Sequence, residues 1–177
     1  MEDLSSADGP TLAPAPFRVA PPGTAMVWTR LDGFKTERGS IGRVEPDKLI
    51  HFVWEGEPRS MYLFGMRCLG PNTWFDHAAY ERIFPLEVGK SVAFARTVSE
   101  WRWENRISVT GTERLTLAFG DVDTYVVVCE TEGLNNPFHA RNAIWHAPNV
   151  GWNVKFRYSD SRGQSYSWKA VKFIPPH

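Results

Sequence analysis

Apolar and polar residues alternate with a period of two along most of the chain. Trp101, Trp103, Ile107 and Val109 alternate with Arg102, Glu104, Arg106 and Ser108, and Asn105 interrupts the apolar side. Trp152, Val154, Phe156 and Tyr158 alternate with Asn153, Lys155 and Arg157, and Leu115, Leu117 and Phe119 with Arg114, Thr116 and Ala118. Successive side chains of an extended chain point to opposite sides, so each run predicts a strand with one face buried and one wet. Near the C-terminus the phase breaks. Tyr166, Trp168 and Ala170 share one face, whereas Val171 and Phe173 fall on the other, which predicts a bulge near Lys169–Val171. Leu49–Trp54 and Tyr125–Cys129 are continuously apolar and suit central strands covered on both faces.

Turn chemistry separates these runs, as in Leu31-Asp32-Gly33, Glu45-Pro46-Asp47, Gly56-Glu57-Pro58, Asn135-Asn136-Pro137 and Asp160-Ser161-Arg162-Gly163. Only residues 74–83 predict a short helical turn. The fold class is therefore all-β: a single-domain antiparallel meander forming a curved sheet, half-barrel or barrel. Two packed sheets would bury the same alternate positions. Gly23–Arg30 recurs in character as Gly89–Arg96, and the strand ending Trp54-Glu55-Gly56 as one ending Thr131-Glu132-Gly133. These pairs would divide the domain into related halves, 23–83 and 84–174.

Composition refines this reading at the ends. Residues 1–22 hold five prolines and a single basic residue, Arg18. They predict a Pro-rich flexible tail ahead of a β domain spanning 23–177. No basic stretch followed by an apolar run marks a signal peptide. Such a tail fits the tether of an exported protein whose signal has been removed, or the start of a cytoplasmic one. The 177 residues carry 20 Lys+Arg against 20 Asp+Glu, and this balance argues against a nucleic-acid partner. The longest apolar runs span four or five residues, too short for a transmembrane span.

Three segments carry a resemblance. They are Phe84-Pro85-Leu86-Glu87-Val88-Gly89-Lys90-Ser91, the stretch Gly120-Asp121-Val122-Asp123-Thr124-Tyr125, and Trp145-His146-Ala147-Pro148-Asn149-Val150-Gly151-Trp152-Asn153-Val154-Lys155. Together they resemble a loose group of uncharacterised bacterial β-rich domains found in exported proteins and lipoproteins. In that group a PL-x-VGK entry precedes a GtfdtY turn and a WyaPevGwvVK hairpin. Asn149 stands here where an acid is common. The resemblance covers residues 84–173 and implies export and a sheet distantly like that of periplasmic lipoprotein carriers. It supplies no catalytic residues.

The residues themselves offer little chemistry. Arg38-Gly39-Ser40-Ile41-Gly42 lacks the first glycine of a nucleophile elbow, so Ser40 reads as a turn residue. No phosphate-cradling glycine motif occurs, and His51, His77, His139, His146 and His177 show no ligand spacing, so neither a metal nor a cofactor is expected. His51 reads as a hydrogen-bonded core histidine and His146 as a turn cap. Asp121 and Asp123 read as turn residues. Cys68 and Cys129 would form a disulfide in an exported protein and stay as small buried thiols in a cytoplasmic one.

Aromatic residues make up 14% of the chain, with eight Trp. They are the best hint of binding, with Trp101, Trp103, Arg106, Trp145 and Trp152 as candidates. Two functional expectations follow, both non-enzymatic. The leading one is an exported, periplasmic scaffold module that binds a protein partner. The other is a carrier that holds a lipid or other apolar small ligand inside a curved, aromatic-lined sheet. An apolar cavity too large for side chains to fill would mark the second.

Overall fold

The computed structural model describes residues 9–31, 35–64, 66–67 (backbone) and 73–176. The alternating runs become β1 (Ala25–Arg30), β2 (Thr36–Val44), β3 (Ile50–Trp54), β4 (Glu57–Tyr62), β5 (Met66–Arg67) and β6 (Thr73–Phe75). After a short helix α1 (His77–Glu81) come β7 (Ser91–Val98), β8 (Trp101–Leu117), β9 (Gly120–Gly133), β10 (His139–Ala147), β11 (Trp152–Asp160) and β12 (Ser165–Ile174). All twelve strands form one antiparallel sheet in the order β5-β4-β3-β2-β1-β12-β11-β10-β9-β8-β7-β6. Both segments suggested as related halves lie in this sheet, which joins them through the β1–β12 pair.

The sheet curls without closing, since β5 and β6 do not pair. Rings from strands far apart in the sheet nevertheless meet across its concave side. Phe52 on β3 lies 6.4 Å from Trp152 on β11, and Tyr62 on β4 lies 4.4 Å from Phe75 on β6. This is a half-barrel. Helix α1 occupies the predicted helical turn, and the Asp76 side chain caps it by accepting from the Ala79 N–H at 3.0 Å.

Bulges set which residues face inward. Val27 pairs with Lys172 and Trp28 with Ala170, so Val171 is the extra residue that the broken alternation predicted. A second shift, between Val109 and Gly111, reverses the faces of β8 and bends the long β8–β9 hairpin. Its distal part reaches Trp145 on the outer side through Glu113, and its tip brings Phe119 to 6.2 Å from Phe173 of β12. Residues 125–128 of β9 are consequently buried on both faces, as their continuous apolar run predicted. β3 differs. Val53 is 39% exposed, so the described residues do not cover the outer face of that strand. Ser40 is not in a turn either, for it pairs with Ala25 and Val53 inside β2.

The Pro-rich segment has specific contacts over residues 9–22. Ala15 forms a bridge with Leu86, and the Ala20 N–H donates to the Gly151 carbonyl at 2.9 Å. Thr112 donates to the Pro10 carbonyl at 2.6 Å, and Tyr125 to that of Ala13 at 2.8 Å. Phe17 packs edge-on to Phe84 at 5.2 Å. Proline-rich chain can take this path because these bonds use its carbonyls and few of its N–H groups. The segment thereby fills one end of the half-barrel.

Candidate functional site

The other end of the concave side is open and contains a cavity of about 640 Å³. Small-molecule sites usually occupy about 300–1,000 Å³. The deep wall is apolar and buried, formed by Phe52, Phe64, Ile107, Ile144 and Trp152. Trp28 and Trp54 stack at 4.9 Å along one side, and Phe156 and Trp168 at 6.3 Å along another. Gly39 lies beneath the first stack, where a Cβ would come within 3.0 Å of the Trp28 ring. Phe138, Tyr158 and Tyr166 are only half-buried and form the rim.

A polar band crosses the sheet between wall and rim. Asn105 on β8 pairs with Thr131 on β9, and Cys129, two residues before Thr131, pairs with Asn142 on β10. The Thr131 hydroxyl donates to Asn105 Oδ1 at 3.0 Å. Asn105 is 3% exposed, yet among the described residues its Nδ2 has no partner, and neither has Asn142 Oδ1. Burying such groups unpaired costs about 1–3 kcal/mol each. Both side chains line the cavity.

Charge around the cavity is also uneven. Arg30, Arg59 and Arg96 line it together with Glu37 and Glu130. Glu37 is engaged by Lys35 and by the Trp54 indole N–H, and Glu130 lies 3.9 Å from Arg141. The Arg96 guanidinium sits over the Trp103 ring at 5.2 Å. Arg59, half-buried on β4, has no carboxylate partner among the described residues. Burial pushes the Cys129 thiol well above its ordinary range, which keeps it protonated and unreactive. No group of three His, Cys, Asp or Glu side chains able to hold a metal occurs among the described residues.

The sequence candidates separate. Trp152 lines the cavity. Trp103 faces the same way under Arg96, and Trp101 stands 44% exposed at the end of that row. Arg106 points to the outer surface, 3.8 Å from Glu104. Trp145 lies on the outer face beneath the folded β8–β9 hairpin, donating to Glu113 with Lys155 over its ring at 3.9 Å. Cys68, the proposed partner of Cys129, lies outside the described residues.

His146 caps no turn. It is buried within β10, with Nδ1 3.0 Å from Asn153 Oδ1, and burial lowers its pKa to about 4. His51 is hydrogen-bonded to Glu45 and Ser60 at 3.0 Å each, but it is half-buried on β3 rather than in the core. Asp123 forms a two-point pair with Arg114, at 2.6 and 3.0 Å.

Sequence reasoning missed Asn105, Asn142 and Arg59. The first left a trace, as the one polar interruption in the inward row from Trp101 to Val109. The other two left none, because half-buried polar residues on strands are common.

Solved structures similar to this chain include three bacterial proteins. The hypothetical lipoprotein YmcC from Escherichia coli superposes with a TM-score of 0.54 at 13% identity, over 88% of this chain and 86% of its own. A provisionally described lipoprotein from Parabacteroides distasonis gives 0.47 at 13% identity, over 92% and 100% of the chains. A provisionally described exported protein with a YmcC-like fold from Bacteroides fragilis gives 0.46 at 12%, over 90% and 99%. The first likeness shows a shared fold. No protein-family model matches the chain, and neither does any curated protein sequence.

Proposed function

We propose that the chain is a non-catalytic binding protein of the bacterial envelope that holds one small apolar or amphipathic ligand on the concave side of its half-barrel. The carrying observation is the aromatic-lined space of about 640 Å³, which the side chains of the described residues leave unfilled. A purely structural sheet of this size would close on its aromatics, since cores pack to near-crystalline density. Export is supported by the Pro-rich segment and by the fold shared with a hypothetical lipoprotein.

Ala140 lines the cavity and is half-buried, so Ala140→Trp places a ring in the space without disturbing the packed wall. Titration with the neutral fluorophore N-phenyl-1-naphthylamine is expected to show saturable binding to the native protein and at least tenfold weaker binding to this variant. Ala118→Trp, on the exposed β8–β9 turn, is expected to bind as the native protein does. Equal binding by all three proteins would place the probe elsewhere and overturn the proposal.

A protein-binding role draws support from a different surface. Trp74 and Leu134 are 58% and 60% exposed. They flank Arg102 on the outer side, through the Trp74–Thr97 and Thr97–Arg102 pairs and the Leu134 N–H to Arg102 carbonyl bond. Loss of a captured envelope protein on Trp74→Ser with Leu134→Ser would support it.

A further inference from the structure

We infer that the cavity selects its ligand by a polar head combining an acidic group with a hydrogen-bond donor, and that Arg59, Asn105 and Asn142 make this selection. The inference rests on the binding role proposed above and adds the chemistry of what is bound. Hydrocarbon alone would satisfy the wall of Phe52, Ile107, Ile144 and Trp152, but it would leave the polar band unpaired. The unmet demand there has a sign. Asn105 Nδ2 seeks an acceptor, and the Arg59 guanidinium, lacking a carboxylate partner among the described residues, seeks an anion. The two carboxylates at the cavity do not meet this demand, since Glu37 is taken by Lys35 and Trp54, and Glu130 faces Arg141. Asn142 Oδ1 seeks a donor, which an acid group alone lacks at neutral pH.

The order of the layers fixes the orientation. Along the inward row of β8 the chain runs from buried Ile107 through Asn105 to Trp101, 44% exposed, and along β10 from buried Ile144 through Asn142 to half-buried Ala140, so the asparagines lie between the apolar wall and the open end. A single-chain amphiphile therefore enters tail first, with its head at the band. Charge-assisted hydrogen bonds in such a partly dry site contribute more than neutral ones, so the acidic group dominates the preference.

Four ligands with the same sixteen-carbon acyl chain separate the two demands. 1-Palmitoylglycerol 3-phosphate offers acid and hydroxyl, palmitate the acid only, 1-palmitoylglycerol the hydroxyls only, and methyl palmitate neither. Displacement of N-phenyl-1-naphthylamine is expected to rank the first tightest and the last weakest, at least tenfold apart. Arg59→Gln is expected to bring palmitate to the level of methyl palmitate while leaving methyl palmitate unchanged. Asn105→Leu should act in the same direction, and Arg59→Gln keeps the test decisive if that variant folds poorly. Equal binding of all four ligands, or an acid preference untouched by Arg59→Gln, would overturn the head-group inference and leave an apolar site standing. Failure of all four to displace the probe would overturn both.

Discussion

Two buried residues on the same strand show how neighbouring positions take opposite tasks. Trp145 and His146 are adjacent on β10, yet the first faces the outer hairpin and the second the concave interior. Trp145 donates to the Glu113 carboxylate, a bond to a charged acceptor worth about 1.5–3 kcal/mol. Trp145→Phe is expected to lower unfolding stability by about that amount in a denaturant titration and to leave probe binding unchanged. A loss of binding would move Trp145 into the site. His146 makes a pH prediction. Burial lowers its pKa from 6.5 to about 4, so between these values the unfolded chain binds a proton that the folded one refuses. The stability conferred by the neutral ring is full above pH 6.5 and is lost as pH falls toward 4, by about 3 kcal/mol in total. His146→Asn, which keeps a donor toward Asn153, should flatten this part of the stability profile. An unchanged slope would show that His146 is not the group responsible.

At the scale of elements, bulges decide what the alternation means. The shift at Val171 was legible, because Trp168 and Ala170 fall out of phase with Val171 and Phe173 on an otherwise regular strand. The shift between Trp145 and His146 was not, since its extra residue, Val154, lies in a run from Trp152 to Tyr158 whose alternation reads as unbroken. A one-residue slip moves all later side chains to the other face. Trp145 and Trp152, both suggested by the sequence, part company: the first faces Glu113 of the outer hairpin and the second lines the cavity. The Pro-rich composition of residues 9–22 likewise concealed their contacts, in which backbone bonds at Pro10, Ala13, Ala15 and Ala20 accompany packing of Leu12, Ala15, Phe17, Val19 and Ala20 on the core. Gly151 holds that segment. It has a φ of 72°, and a Cβ there would come within 2.6 Å of the Ala20 nitrogen. Gly151→Ala is expected to cost about 1–3 kcal/mol through backbone strain and loss of the Ala20 bond. Hydrogen exchange should show the Ala20 amide losing protection first. Retained protection would mean that the segment is anchored elsewhere.

The whole molecule is a half-barrel with one end filled by its own chain and the other left open. The all-β class, the meander and the helical turn were legible because period-two alternation and turn chemistry are local. The cavity was not, because its volume depends on how far a twelve-stranded sheet curls, and curvature is set by bulges and by ring contacts across the interior, such as Phe52 with Trp152. Aromatic content hinted at a lined interior without saying which rings faced it. The binding role therefore rests on the unfilled space, and occupancy is its direct test. Native mass spectrometry of the full chain prepared without detergent, before and after one equivalent of 1-palmitoylglycerol 3-phosphate, makes that measurement. A one-to-one adduct that leaves when the protein is denatured is the expected result. The bare chain mass in both spectra would contradict it.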